Sequence, residues 1–256
     1  MLAKLAATGA AIATLLAAPL AFAQDKGEFG QQGDFIFGAD RLFSLFAYDS
    51  ETYGTAAGNV TVSGSSMSLL WGGNGVSGGA PTGNAFAAGV TSFYTAPRVG
   101  FDYVIIPHLT IGGELFAWFT LGGNTSTPAG NGTSVNTGNA SGNEFGIAPR
   151  VGYIIGLNDM LSVWLRGGLS YYVANASSNP NGNGCNNNAS LDVFGIDLDP
   201  QLVISPIPHF AFMAGPSLDW GFVGGWSVPD QGCRTTTSGN YNAVNFSING
   251  GLIGWL

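Results

Sequence analysis

The chain has 256 residues, of which 41 are glycine and only 9% are charged, against roughly 25% in an ordinary soluble domain. Seven basic and 15 acidic side chains give a net charge of −8, which makes nucleic acid a poor partner. The 17 Phe, 8 Tyr and 6 Trp exclude disorder. Beyond the first stretch, Gly, Asn, Asp or Arg interrupts every apolar run well short of the roughly 18 residues a spanning helix needs, so a helical membrane bundle is excluded too.

The chain opens with a lone Lys4, an apolar run from Leu5 to Ala23 that ends Ala21-Phe22-Ala23, and then the polar Gln24-Asp25-Lys26. That is the layout of a cleaved secretory signal, so residues 1–23 are expected to leave a mature domain of 24–256 with a net charge of −9. The alternative is a retained anchor helix. The absence of Cys just after the signal argues against a lipid anchor.

From there, segments rich in Val, Ile, Leu, Phe and Tyr alternate with stretches of Asn, Gly, Ser and Thr, the texture of strands and loops. Strands are predicted at 35–48, 92–105, 109–121, 144–157, 160–173, 193–204, 210–223 and 243–256. Tight turns fall at Ile106-Pro107-His108, Leu157-Asn158-Asp159 and Pro206-Ile207-Pro208-His209. The long connections are 49–91, 122–143, 174–192 and 224–242, so every long loop lies at one end of the sheet. In the first, Val60-Thr61-Val62 and Met67 to Trp71 are expected to form a small hairpin above the rim. A repeat, Ala96-Pro97-Arg98-Val99-Gly100 and Ala148-Pro149-Arg150-Val151-Gly152, with a weaker copy Asp199 to Val203, marks one hairpin unit used about three times.

Side chains alternate across a strand, so the apolar phase can be chosen without reference to charge. In the second strand it is Phe93, Thr95, Pro97, Val99, Phe101, Tyr103 and Ile105. Nine charged residues, Arg98, Asp102, Glu114, Glu144, Arg150, Arg166, Asp197, Asp199 and Asp219, all fall on the opposite phase. A barrel in water would put apolar groups in its lumen and charges outside; the reverse means that the solvent is lipid. Unpaired backbone groups in hydrocarbon each cost several kcal/mol, so the sheet must close. The reading is an all-β, closed, antiparallel, eight-stranded transmembrane β-barrel of up-and-down topology. Phe93, Tyr103, Phe119, Tyr153, Tyr171, Phe210, Trp220 and Phe222 are expected to form interfacial girdles.

Two features strain this pattern. Pro97, Pro149, Pro200 and Pro216 lie within strands and are expected to mark a repeated bulge. Adjacent Asp40 and Arg41 cannot both face inward unless the strand is bulged there; otherwise one points outward or the Arg snorkels.

Eight strands enclose just enough space for side chains, so the nine lumen charges are expected to pair as a structural plug. The competing reading is a narrow cation-preferring pore lined by Asp102, Asp197, Asp199 and Asp219. Catalysis has little support: His108 and His209 sit in short turns, and a lipid-modifying enzyme would have to assemble its site from loop residues such as Asp49, Glu51 or Asp230. No cofactor or metal motif is present, and Gly112-Gly113 and Gly167-Gly168 read as space for curvature. Cys185 and Cys233 lie in neighbouring long loops, where a disulfide would close a 48-residue span; two separate thiols are the alternative.

With signal, alternating strands, tight turns and a terminal strand from Asn245 to Leu256, the whole mature sequence resembles the small outer-membrane barrels of the OmpA membrane-domain and OmpX type. Its Ala-Pro-Arg-Val-Gly repeat also resembles barrel proteins of proteobacteria. The resemblance implies residence in outer-membrane lipid and insertion by the barrel assembly machinery through the C-terminal strand, whose last aromatic is Trp255. Tethering of the OmpA kind, through a peptidoglycan-binding domain after the barrel, is not expected. The functional expectation is a structural or adhesive surface protein, with an extracellular ligand, if any, at the long loops.

Overall fold

The structure, a computed structural model, describes residues 28–68, 93–129, 133–138, 141–178, 187–229 and 236–256. The expected signal segment, Cys185, Cys233 and Asp230 lie outside them. The strands are β1 (Phe35–Thr55), β2 (Gly58–Met67), β3 (Arg98–Ile106), β4 (Leu109–Thr120), β5 (Asn124–Ala129), β6 (Thr133–Gly138), β7 (Ser141–Gly156), β8 (Leu161–Ser178), β9 (Asn187–Ile207), β10 (Phe210–Pro229) and β11 (Thr236–Trp255).

Eight of them close an antiparallel ring in the order β1-β3-β4-β7-β8-β9-β10-β11, with β11 pairing back onto β1 from Ile36↔Trp255 to Tyr53↔Tyr241. Closure removes the sheet edge that hydrocarbon would leave unsatisfied. β5 and β6 form a separate two-stranded hairpin within the second long connection.

Strands run to 21 residues, past the predicted limits at the long-connection end. The reason is physical: alternation of apolar and polar residues ends where the apolar belt ends, whereas the backbone ladder continues with Asn, Ser and Thr on its outer face. β1 illustrates this. Its lower part pairs with β3 (Phe35↔Tyr103 to Asp40↔Arg98) and its upper part with β2 (Phe46↔Met67 to Thr55↔Gly58). The expected hairpin of Val60-Thr61-Val62 with Met67 to Trp71 is corrected where it is described: Val60, Thr61 and Val62 pair with Tyr53, Thr52 and Glu51, and Met67 with Phe46, while residues 69–71 lie outside the described residues.

The proline expectation is also corrected. Pro149 pairs with Gly113, Pro200 with Leu165 and Pro216 with Ile248, and the register is the same on either side of each. Pairing lapses only on the opposite flank, between Ile147↔Tyr171 and Arg150↔Gly168 and between Ala214↔Leu202 and Leu218↔Leu198, the flank a proline without an N–H cannot serve. Glycine faces these gaps: a Cβ on Gly168 would lie 2.1 Å from the Pro149 carbonyl oxygen, and one on Gly215 would lie 2.1 Å from that of Pro200. Pro97 precedes β3.

The short turns follow local chemistry. Pro107-His108 and Pro208-His209 put proline first and a residue of positive φ second, 71° at His108 and 63° at His209. In the third turn, Asn158 Oδ1 accepts from the backbone N–H of Met160 and Leu161, both at 2.9 Å.

Gly168→Ala is expected to destabilise the barrel by about 3 kcal/mol, because the contact is with backbone that cannot rotate away. Gly156→Ala, where a Cβ meets nothing within 4 Å, should change stability by less than about 0.5 kcal/mol. Urea unfolding of refolded protein in detergent micelles checks both.

Candidate functional site

The lumen is packed at three levels. At the short-turn end, Ile36, Val104, Ile154, Trp164, Met213, Ile253 and Trp255 form an apolar floor. The segment before β1 folds up against it: Phe29 lies 5.5 Å from Trp164 and 5.1 Å from Trp255 between ring centroids. Gly33 N–H donates to Val104 O at 2.9 Å and His108 N–H to Gly30 O at 3.0 Å.

The middle level is ionic. All nine charges predicted to share a face are buried here, and the structure adds Asp40 (1% exposed) and Arg41 (3%). A register shift between Ala39 and Phe43, with Arg41 at φ 55°, turns both of these adjacent residues inward. This is the bulged alternative among those left open by the sequence. Arg150 is the hub: Nη1 donates to Asp40 Oδ2 at 2.8 Å and to Glu114 Oε1, while Nη2 donates to Asp102 Oδ2 at 2.5 Å. Arg166 bridges Asp40, at 3.1 Å, and Asp199. Arg98 donates to Glu114 Oε2 at 2.9 Å, and Arg41 grips Asp219 with both terminal nitrogens, at 2.8 and 3.1 Å. Gln201 completes Asp199. Trp164 lies beneath two guanidiniums, 5.5 Å from Arg150 and 4.6 Å from Arg166. Bidentate, charge-assisted geometry of this kind is what lets arginine replace the water taken from buried carboxylates.

Asp197 and Glu144 are buried in the same lumen, each 1% exposed, and among the described residues Asp197 Oδ1 has no hydrogen-bond partner. On β10 and β11, Ser217 and Ser247 share a 2.7 Å hydrogen bond and Asn249 donates to both.

The upper level is an aromatic lid of Tyr53, Phe93, Tyr94, Phe116, Tyr172, Trp226 and Tyr241. Phe93 was expected in an outward girdle, and the structure corrects this: it is 4% exposed and stacks on Tyr172 at 5.0 Å and 18°. Because β3 starts only at Arg98, residues 93–97 turn into the barrel, where Phe93 O accepts from Arg98 Nη2 at 3.2 Å and Tyr94 O accepts from Arg41 Nη1. The outward-pointing Tyr103, Phe119, Tyr153, Tyr171, Trp220 and Phe222 are exposed.

Of the rim residues considered for catalysis, Asp49 and Glu51 are among the described residues and Asp230 is not. Asp49 is 2% exposed, and Glu51 accepts a 2.6 Å hydrogen bond from Tyr53 Oη. Glu51 lies past Tyr48, the last outward apolar residue of its strand, and burial pushes its carboxyl above the ordinary value of 4.5 against the hydrogen bond from Tyr53. The histidines are at the far end, where His209 Nδ1 lies 3.1 Å from Trp255 O.

Asp40, Arg41 and the Phe93–Tyr94 carbonyls are the parts of the network that alternation missed, and Gln201, on the phase of Asp197 and Asp199, was passed over because it carries no charge. The usable signal was energetic: an Arg in a strand with hydrocarbon outside must turn inward even if the strand has to bulge.

Arg150→Met should destabilise by about 4 kcal/mol, because buried Asp102 would lose its arginine, while Asp40 and Glu114, still held by Arg166 and Arg98, would each lose one of two. Adding Asp102→Asn should recover part of that loss in a double-mutant cycle. For Glu51, the folded state holds its proton to higher pH than the unfolded chain, so stability should fall as pH rises from 4.5 through its raised pKa. Unfolding followed by tryptophan fluorescence at several pH values, wild type against Glu51→Gln, isolates this slope.

No protein-family model matches the chain, and no curated protein matches it in sequence. Its fold is similar to solved small outer-membrane barrels. OprG from Pseudomonas aeruginosa is 11% identical, covering 87% of this chain and 96% of that one, with a TM-score of 0.44. AlkL, solved by solid-state NMR in DMPC bilayers, is 10% identical over 92% and 95%, with a TM-score of 0.46. The outer membrane protease OmpT from Escherichia coli is 9% identical over 91% and 99%, with a TM-score of 0.42.

Proposed function

We propose that the chain is an integral outer-membrane β-barrel that serves a structural or surface-interaction role rather than catalysis, with a lumen sealed by its own side chains. The observation that carries this reading is the filled bore: an apolar floor, an arginine–carboxylate network and an aromatic lid stacked along one axis. Outside, Val99, Phe101, Ile111, Leu115, Ile147 and Val151, each about half exposed, support burial in lipid. Export by a signal cleaved after Ala23, insertion through the C-terminal strand and a Cys185–Cys233 staple between the long loops belong to the same reading. Surface contacts fall to the long-connection end.

A second reading, a narrow cation channel, is favoured by one feature: seven lumen carboxylates, Asp40, Asp102, Glu114, Glu144, Asp197, Asp199 and Asp219, against four arginines among the described residues. Single-channel recording of refolded residues 24–256 in planar bilayers separates the two. A silent bilayer, with folding verified by heat-modifiable migration, is expected. Cation-selective steps that change in an Asp197→Asn, Asp199→Asn variant would establish the channel and overturn the sealed lumen.

A further inference from the structure

The outer wall carries two grooves, one above the other, the lower across β3, β4, β7 and β8 and the upper across β7, β8 and β9 beside the end of β4. The lower, of about 700 Å³, is apolar and lined by residues including Phe101, Leu115, Phe145, Ile147, Tyr171 and Val173. The upper, of about 540 Å³, is lined chiefly by Asn143, Asn175, Asn188, Ser190, Phe119 and Leu121. The two meet where the paired Phe145 and Val173, each two residues below Asn143 and Asn175 on the same strands, end the apolar belt.

The upper groove is built from cross-strand rows. Asn143 pairs with Asn175 and Asn175 with Ser190; one row higher, Ser141 pairs with Ser177 and Ser177 with Asn188. Asn175 Nδ2 donates to Asn143 Oδ1 at 3.1 Å, which leaves each amide with further donors and acceptors directed to solvent. A sugar ring has the same mixed character at every hydroxyl. Its apolar face needs an aromatic or aliphatic wall, and Phe119, 60% exposed, and Leu121, 81% exposed, stand beside the amides.

Charge narrows the ligand. Every arginine among the described residues is sealed in the lumen, so no described cation reaches this outer surface. The charged group nearest the groove on β9 is Asp192, exposed two residues below Ser190, which repels phosphate. Such a surface suits a neutral sugar better than a phosphate. The apolar groove directly beneath says how the sugar is carried, since an acyl chain can lie below while the head group sits above.

We propose that this face binds a glycolipid of the surrounding leaflet, its acyl chain in the lower groove and an uncharged sugar head group on the Asn143–Asn175–Ser190 row. The proposal rests on the reading of the chain as a lipid-embedded barrel. To test it, residues 24–256 are refolded into vesicles holding equal parts of digalactosyldiacylglycerol and phosphatidylglycerol, extracted, and analysed by native mass spectrometry for retained lipid. Wild type should retain the galactolipid about fivefold over the anionic lipid, as one or two net hydrogen bonds would supply. Asn143→Ala with Asn175→Ala, substitutions outside the lumen, should bring the ratio close to parity while heat-modifiable migration is unchanged. Equal retention by wild type, or a preference that survives in the variant, overturns the proposal. Displacement by free galactobiose overturns the lipid source and leaves a site for soluble glycan. A chain that fails to enter vesicles at all overturns the barrel reading itself, an outcome distinct from the others.

Discussion

Hydrocarbon cannot hydrate a charge or a peptide group, and the rest of this structure follows from that. Backbone groups are satisfied by closing the ring between β1 and β11, and four arginines and seven carboxylates among the described residues turn inward. A ring of eight leaves a bore only as wide as the side chains that fill it, so charges brought inside must meet one another. Arg150 therefore contacts three carboxylates, and Asp40 is shared between two arginines.

Such pairs are weak evidence for net stability, since desolvation offsets much of the attraction. Their consequence is specificity. Each arginine joins strands distant in sequence: Arg41 reaches from β1 to Asp219 on β10, and Arg166 from β8 to Asp40 on β1. A strand slipped by one residue would direct these groups into lipid, so the network selects one register. The floor and lid then close the bore by ordinary packing, with Trp164 serving both, as part of the floor and as a cation–π surface for two arginines.

The outer face obeys the same constraint in two zones. Where strands meet lipid, outward residues are apolar; above it they become Asn, Ser and Thr while the ladder continues without a break, as in β7 from Phe145 up to Ser141. The change of solvent alters side chains and leaves backbone pairing untouched. This explains why β8 to β11 extend beyond their apolar stretches, and it places a polar groove immediately over an apolar one.

Alternation alone identified eight staves, the three tight turns and the inward set from Arg98 to Asp219, because a two-residue period and the energy of a charge in hydrocarbon are local properties. It did not identify the pairing of β1 with β2, the uninterrupted register through Pro149, Pro200 and Pro216, or the inward turn of Phe93 and Tyr94. Those depend on neighbours. A proline is tolerated when the strand on its N–H side carries a glycine, as Gly168 does opposite Pro149, and that partner lies 19 residues away in the chain. Likewise Asp40 and Arg41 became a pair of inward charges only when the bulge on β1 met Arg150, Arg166 and Asp219 across the bore. The sequence by itself determined which solvent the barrel faces; the tertiary structure decided how its interior is wired, because ion pairs form between side chains that only ring closure brings together.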